Sequence, residues 1–190
     1  MMYSSVLATV VGALTAETVD NTSKQAWQRL YTPDHDQGGD LCLLGGTRPG
    51  VARVETNCWL HARLYSQLSS VHWQALVARY STHRAKKVHA IGKLVALVPS
   101  PAPSLFRYKA VTAWAIPQLK GAQGRRSTDM IVLPTDFYDI STWDQAPRPE
   151  STRREWRRKI HAALDRLVDD ALDAARPILQ AEGVLFAHIA

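Results

Sequence analysis

The sequence predicts a mainly α protein: a helical domain containing a helix-turn-helix, an irregular insertion, and a long C-terminal helix. Three observations carry this expectation. Apolar residues recur at helical spacing, most regularly at Trp156, Ile160, Ala163, Leu164, Leu167, Val168, Ala171, Leu172 and Ala175. Prolines punctuate the segments at Pro99, Pro101, Pro103 and Pro117, where the absent N–H and the restricted preceding residue stop a helix. Only Met130 to Leu133 suits a strand, and it is short. With 190 residues, 46% of them hydrophobic and 21% charged, the chain can bury a core. No internal repeat or low-complexity stretch interrupts it.

Residues 4–30 read as one or two helices, the first capped by Ser4 or Ser5 and the second by Thr22-Ser23 ahead of Ala26, Trp27 and Leu30. Residues 32–50 form a turn-rich loop marked by Pro33, Gly38-Gly39, Gly45-Gly46 and Pro49-Gly50. Val54 to Leu68 suits a helix, and Ser69-Ser70 caps the next, Val71 to Tyr80, with Val71, Ala75, Leu76, Ala78 and Tyr80 inward. A basic connection, residues 81–87, leads to Val88–Val98, whose apolar side is Ala90, Ile91, Leu94, Val95 and Val98. Ser104 caps Leu105 to Ile116. Residues 118–151 are irregular. The last helix starts at Thr152, with Glu155 completing a capping box; Pro177 kinks or ends it, and Val184 to Ile189 docks back. The expected organisation is thus a helical domain over 1–117 with its helix-turn-helix at about 68–117, an insertion over 118–151, and a C-terminal helix and tail over 152–190 packing on the helical domain.

The net charge is +6, but its placement says more. No Asp or Glu occurs between residues 56 and 128, a stretch that holds 11 Lys and Arg; the rest of the chain holds 12 basic and 17 acidic residues. Such a field concentrates polyanions, and each cation placed on a phosphate adds to counterion release. Nucleic acid is the expected partner, with an acidic protein surface as the alternative. No apolar run approaches the ~20 residues of a membrane helix, so no membrane partner is expected. Val6 to Ala16 is apolar, but no Lys or Arg precedes Lys24, which favours a buried helix over a secretion signal. Two cysteines, Cys42 and Cys58, make no disulfide scaffold, and a soluble intracellular protein is expected.

Two short helices, a basic turn and two further helices between residues 58 and 117 are how a helix-turn-helix is assembled. On Ser104–Ile116, Phe106, Ala110 and Ala113 gather on one side, while Arg107, Tyr108, Val111, Thr112 and Ala115 spread around the other with Lys109 at the flank. Arg reads guanine bidentately and Thr meets a thymine methyl. The DNA-binding candidates are therefore Arg79, Arg84, Lys86, Lys87 and Lys93, of which Arg84, Lys86 and Lys87 are expected on phosphates, with Ser104, Arg107, Tyr108, Lys109 and Thr112 on the reading helix. The alternative is buried helical packing in which Arg107 and Lys109 are merely solvated.

The run Leu68-Ser69-Ser70-Val71-His72-Trp73-Gln74-Ala75-Leu76-Val77-Ala78-Arg79-Tyr80-Ser81 resembles the first helices of sigma region 4-like domains. There, a leucine, a cap and a short helix ending in an Arg-Tyr-like pair precede the helix-turn-helix. Phage late-gene transcription antitermination proteins of the Q type carry such a module. The resemblance covers about 50 of the 190 residues. It departs from the family in a longer, three-proline turn and in Lys87 standing before Val88 where an acid is common. It implies Val88–Val98 as supporting helix and Ser104–Ile116 as recognition helix. It further implies a regulator that binds double-stranded DNA and RNA polymerase in the cytoplasm of a bacterial host and makes the enzyme read through terminators.

The insertion carries Phe137, Tyr138 and Trp143 among acids, which suits either a protein contact or aromatics plugging the core. The last helix crowds Arg153, Arg154, Arg157 and Arg158 at its N-terminal end, against the dipole's preference. A basic end of this kind can hold phosphate or an acidic partner, or it can pair at i,i+4 with nearby acids. His35, Cys42, Cys58 and His61 could supply zinc ligands, yet their spacing matches no compact finger, and no metal or other cofactor is expected. Asp34-His35-Asp36 reads as a solvated loop, and His72, His83 and His89 have no acidic neighbour to form an acid–base pair. No phosphate loop or nucleophile elbow is present, so an enzyme is not expected. Besides the DNA-binding regulator, two readings stand: a protein-binding module or inhibitor docking its basic face on a nucleic-acid-binding complex, and a nuclease.

Overall fold

A computed structural model describes residues 5–16, 49–118, 131–146 and 148–185. Among these are six α-helices, two short 3-10 turns and no strand: α1 (Val6–Thr15), α2 (Pro49–Gln67), α3 (Ser70–Tyr80), α4 (Arg84–Leu97), α5 (Ser104–Ala115) and α6 (Glu150–Ala181). The expected caps at Ser5 and Ser69 form, their hydroxyls accepting from the amides of Ala8 at 3.1 Å and His72 at 3.2 Å. The second N-terminal helix, the loop over 32–48, Met130 and the end of the tail lie outside the described residues. So do the candidate ligands His35 and Cys42, and the whole Asp34-His35-Asp36 run.

Several local expectations are corrected. Helix α2 begins at Pro49, within the expected loop, and α4 begins at Arg84, within the expected basic connection. Ser104 caps nothing, because Pro103 occupies the N-cap of α5 and Ser104 is its first helical residue. The capping box at Thr152 does not form either. Helix α6 begins at Glu150, which suits the positive end of the dipole and pairs with Arg154 at 2.6 Å, one turn on. Pro177 does not end α6. Gly183, at φ 67°, does so with a Schellman closure: its amide bonds the Gln180 carbonyl at 3.0 Å, and the Val184 amide bonds that of Leu179 at 3.2 Å. Val71 faces out, and Trp73 takes the buried place on α3.

Helix α6 runs through the fold, packing on α1, α2, α3 and α5, while α4 packs on α3 and α5. The apolar stripe of α6 that the sequence marks is the seam: Ile160, Leu164, Val168, Ala171 and Ala175 are buried, with Leu179 beyond. Opposite lie Leu14, Leu60, Leu64, Leu76 and Phe106, all fully enclosed.

Residues 131–146 anchor in this core through Trp143, with Ile131, Leu133 and Ile140 packed against it. Trp143 is 1% exposed, wedged edge-on against Phe106 at 5.3 Å between ring centres, and Phe106 in turn meets Trp156 at 5.5 Å. The Trp143 indole N–H donates to the Phe137 carbonyl at 2.7 Å, and the Tyr138 hydroxyl donates to that of Ile116 at 2.7 Å. Residues 131–134 form no strand. Trp143 is therefore a core residue and not a partner contact.

Candidate nucleic-acid interface

The reading helix expected at α5 is mostly enclosed. Phe106, Ala110, Val111, Thr112, Trp114 and Ala115 are buried, leaving Ser104, Leu105 and Tyr108 exposed. Thr112 is 6% exposed and its hydroxyl donates to the Tyr108 carbonyl at 2.8 Å, so it cannot meet a base. Lys109 ties down the insertion, its ammonium donating to the Thr142 carbonyl at 2.8 Å. Arg107 is half-buried, and its Nε is buried without a hydrogen-bond partner among the described residues. Periodicity failed here because α5 is packed on several sides, by α4, α6 and the insertion together.

Two further cations have structural work. Arg79 donates to the Trp114 carbonyl and lies over the Trp114 ring at 5.1 Å. The Lys87 ammonium turns back onto the carbonyls of Arg79 at 3.1 Å and Ser81 at 3.3 Å, closing the C-terminal end of α3. Both line a cavity of about 240 Å³ with Tyr80, Ile116 and Tyr138. Both cations are thus engaged by the chain's own carbonyls and half-buried.

Burial, and then the nearby Arg79 charge, lower the Lys87 pKa from 10.5 to about 8. Below that value both the folded and the unfolded chain carry the charge, and the desolvation cost is felt in full. Between the folded and unfolded values the unfolded chain holds the extra proton, so stability rises with pH by up to about 1.4 kcal/mol per unit. Urea denaturation at about pH 7.5 and 9.5 should show the native protein gaining about 2 kcal/mol relative to Lys87→Met. Parallel pH dependence of the two proteins would rule out a buried Lys87 ammonium.

What the structure brings together is the outer face of α4. Helix α4 follows α3 after three residues, Ser81–His83, and the His83 ring accepts from the Lys86 amide at 3.4 Å as its cap. Its buried side is Ala90, Ile91 and Leu94; Arg84, Ala85, Lys86, Val88, His89, Gly92, Lys93, Ala96 and Leu97 are exposed. At 100° per residue, Ala85, His89, Gly92 and Ala96 form the outermost line, with Lys86 and Lys93 on one flank and Arg84 on the other. A Cβ added at Gly92 would meet nothing within 4 Å. Beside the lysine flank, a cleft of about 550 Å³ separates α4 from α2 and α3, with Tyr65 and Trp73 on its far wall. No carboxylate from residues 56–128 faces this surface, because that stretch has none.

The other candidates lie elsewhere. Phe137 is half-buried, 5.9 Å from the Lys109 ammonium, and Tyr138 is half-buried with its hydroxyl used. Arg153 donates to the Ala146 carbonyl at 3.0 Å, holding the insertion to α6, and Arg154 pairs with Glu150. Arg157 and Arg158 flank a shallow concavity with His161, whose ring meets the Ala110 carbonyl at 3.2 Å; burial holds the His161 pKa below its ordinary value. Cys58 is exposed, and among the described residues no cluster of three or more His, Cys, Asp or Glu could hold a metal. Among them also, no helix is long and apolar enough to cross a membrane.

No family model, curated protein or solved structure matches this chain. The site therefore rests on its own geometry. Sequence reasoning missed His89, Gly92 and Tyr65. A helical wheel over residues 84–97 would have found the first two, because the apolar positions Ala90, Ile91, Leu94 and Val98 fix which side is out. Tyr65 carries no local signal of its own.

Proposed function

We propose that this protein is a DNA-binding transcription regulator that lays the outer face of α4 in the major groove of a duplex. The observation that carries this reading is the α4 surface itself, three exposed cations around a line of Ala85, Gly92 and Ala96 with His89 among them, in a stretch of chain without acids. A helix with ordinary side chains is ~10–12 Å across and the major groove is ~12 Å wide, so small residues on the leading line favour close approach. Arg84, Lys86 and Lys93 then meet phosphates, and His89 points at base edges. Moving the reading helix from α5 to α4 keeps the helix-turn-helix order but shifts it by one helix.

The antitermination role rests on the resemblance of residues 68–81 to sigma region 4-like modules. In that role the half-buried Arg157 and the exposed Arg158 of α6 are the cations offered to an RNA polymerase contact. A second reading, docking on an acidic protein, is favoured by Val88 and Leu97, which are 55% and 50% exposed on the same helix as the cations. Titrating the full chain with duplex from its genetic neighbourhood, and with random duplex as control, tests the proposal. Selective binding supports it. Indifference to all duplex at low salt removes it in favour of protein docking, and divalent-metal-dependent cleavage would make the protein a nuclease.

A further inference from the structure

The cleft beside α4 has a property that duplex docking does not use. Its far wall carries Tyr65, which is 63% exposed. The ring is not a loose surface side chain. Trp73, itself 6% exposed, meets it edge-on at 5.5 Å and 76°, and His61, one turn earlier on α2, also meets Trp73 edge-on at 5.0 Å and 80°. Tyr65 is thus held as a preset platform with much of its surface in solvent. The α4 wall opposite supplies Lys86, His89 and Lys93. Lys86 and Lys93 are two turns apart, about 10.5 Å along the helix axis. The cleft volume of about 550 Å³ lies within the range of ligand-sized sites.

A fixed, exposed aromatic ring facing a row of cations is the pattern that holds unpaired nucleotides: the ring stacks a base and the cations track the backbone. A duplex offers such a ring no π-face, because its bases already stack on one another. We infer that the cleft between α2 and α4 takes a short single-stranded stretch of nucleic acid, one base stacked on Tyr65 and neighbouring phosphates on Lys86 and Lys93. This rests on the nucleic-acid reading of α4 and deepens it. Lys86 and Lys93 stand between the crest of α4 and the cleft, so the two modes share them: a duplex on the crest, or an unpaired stretch at its side.

The test compares a ten-nucleotide oligo-dT with a mixed-sequence duplex by fluorescence anisotropy at low salt, using the full chain. Tyr65→Ala should weaken oligo-dT binding about 5- to 150-fold, the range measured for loss of one stacked base. Tyr65→Phe, which keeps the ring, should stay within about twofold of the native protein, and duplex affinity should change little in either variant. Unchanged melting temperatures would show that both variants fold. Three results would overturn the inference: oligo-dT binding that Tyr65→Ala leaves intact, equal loss on both probes, or binding of duplex without oligo-dT. The last leaves the duplex reading of α4 standing. Failure to bind either probe removes both readings, and binding of an acidic peptide such as oligo-glutamate would then assign the cleft to a protein.

Discussion

Replacing Trp143 by alanine is expected to cost about 3–5 kcal/mol, a large part of the ~5–15 kcal/mol that holds a typical domain folded. The indole is 1% exposed and seats the insertion against Phe106. Its removal leaves a cavity that the surrounding helices cannot close, and strands the Phe137 carbonyl that its N–H now serves. Trp143→Phe should keep most of the packing and lose chiefly the hydrogen bond, at about 1–2 kcal/mol. Urea denaturation followed by circular dichroism gives both values. A cost below about 1 kcal/mol for the alanine variant would place Trp143 outside the core. For the same reason, deletion of residues 121–147 should abolish cooperative unfolding rather than yield a trimmed but stable protein.

The second large effect is on binding. Changing Arg84, Lys86 and Lys93 together to glutamine should lower duplex affinity about 10- to 1,000-fold near 0.1 M salt, and flatten the slope of log K against log salt by about 3. All sequences should suffer alike, since phosphates are being lost and not bases. Folding should be nearly unchanged, because all three residues are exposed and glutamine is as good a helix former as lysine or arginine. Lys109→Gln and Thr112→Ala serve as contrasts: they lie on α5, where one residue is engaged by the insertion and the other is buried. If these two weaken DNA binding as much as the α4 triple variant at equal stability, α5 is the reading helix after all. An unchanged salt slope in the triple variant would remove α4 from the interface.

The helices were legible because each needs only a period of apolar residues and a stop. The seam of α6 appears residue by residue in the sequence, and the caps at Ser5 and Ser69 are local chemistry. The starts of α5 and α6 were not legible, because Pro103 and Pro149 take the N-cap position that a nearby hydroxyl would ordinarily hold. The α5 surface was misread for a different reason. Arg107, Lys109 and Thr112 are polar by type, but how far polar side chains are covered depends on what packs over them. At Lys109 the cover is the insertion, reaching α5 from more than thirty residues away. Lys87 and Arg79 escaped for the same cause: both serve backbone carbonyls, and no sequence period records that. The acid-free stretch, by contrast, needs no structure to see, and it remains the firmest pointer to a polyanion.

The packing of α6 on α1, α2, α3 and α5 also dictates when the protein can fold during its manufacture. These helices precede α6 in the chain, and each leaves part of its apolar face for a helix synthesised after it. At ~5–20 residues per second, the 32 residues of α6 take roughly 2–6 s to make. Throughout that interval the nascent chain carries Leu60, Leu64, Leu76 and Phe106 without the helix that seals them, beside the full charge of its basic stretch. Native structure is thus a late event, reached only as the last turns of α6 join the rest. A nascent chain halted before Ile160 would hold every cation of the α4 face without the helix that seals the core beneath it.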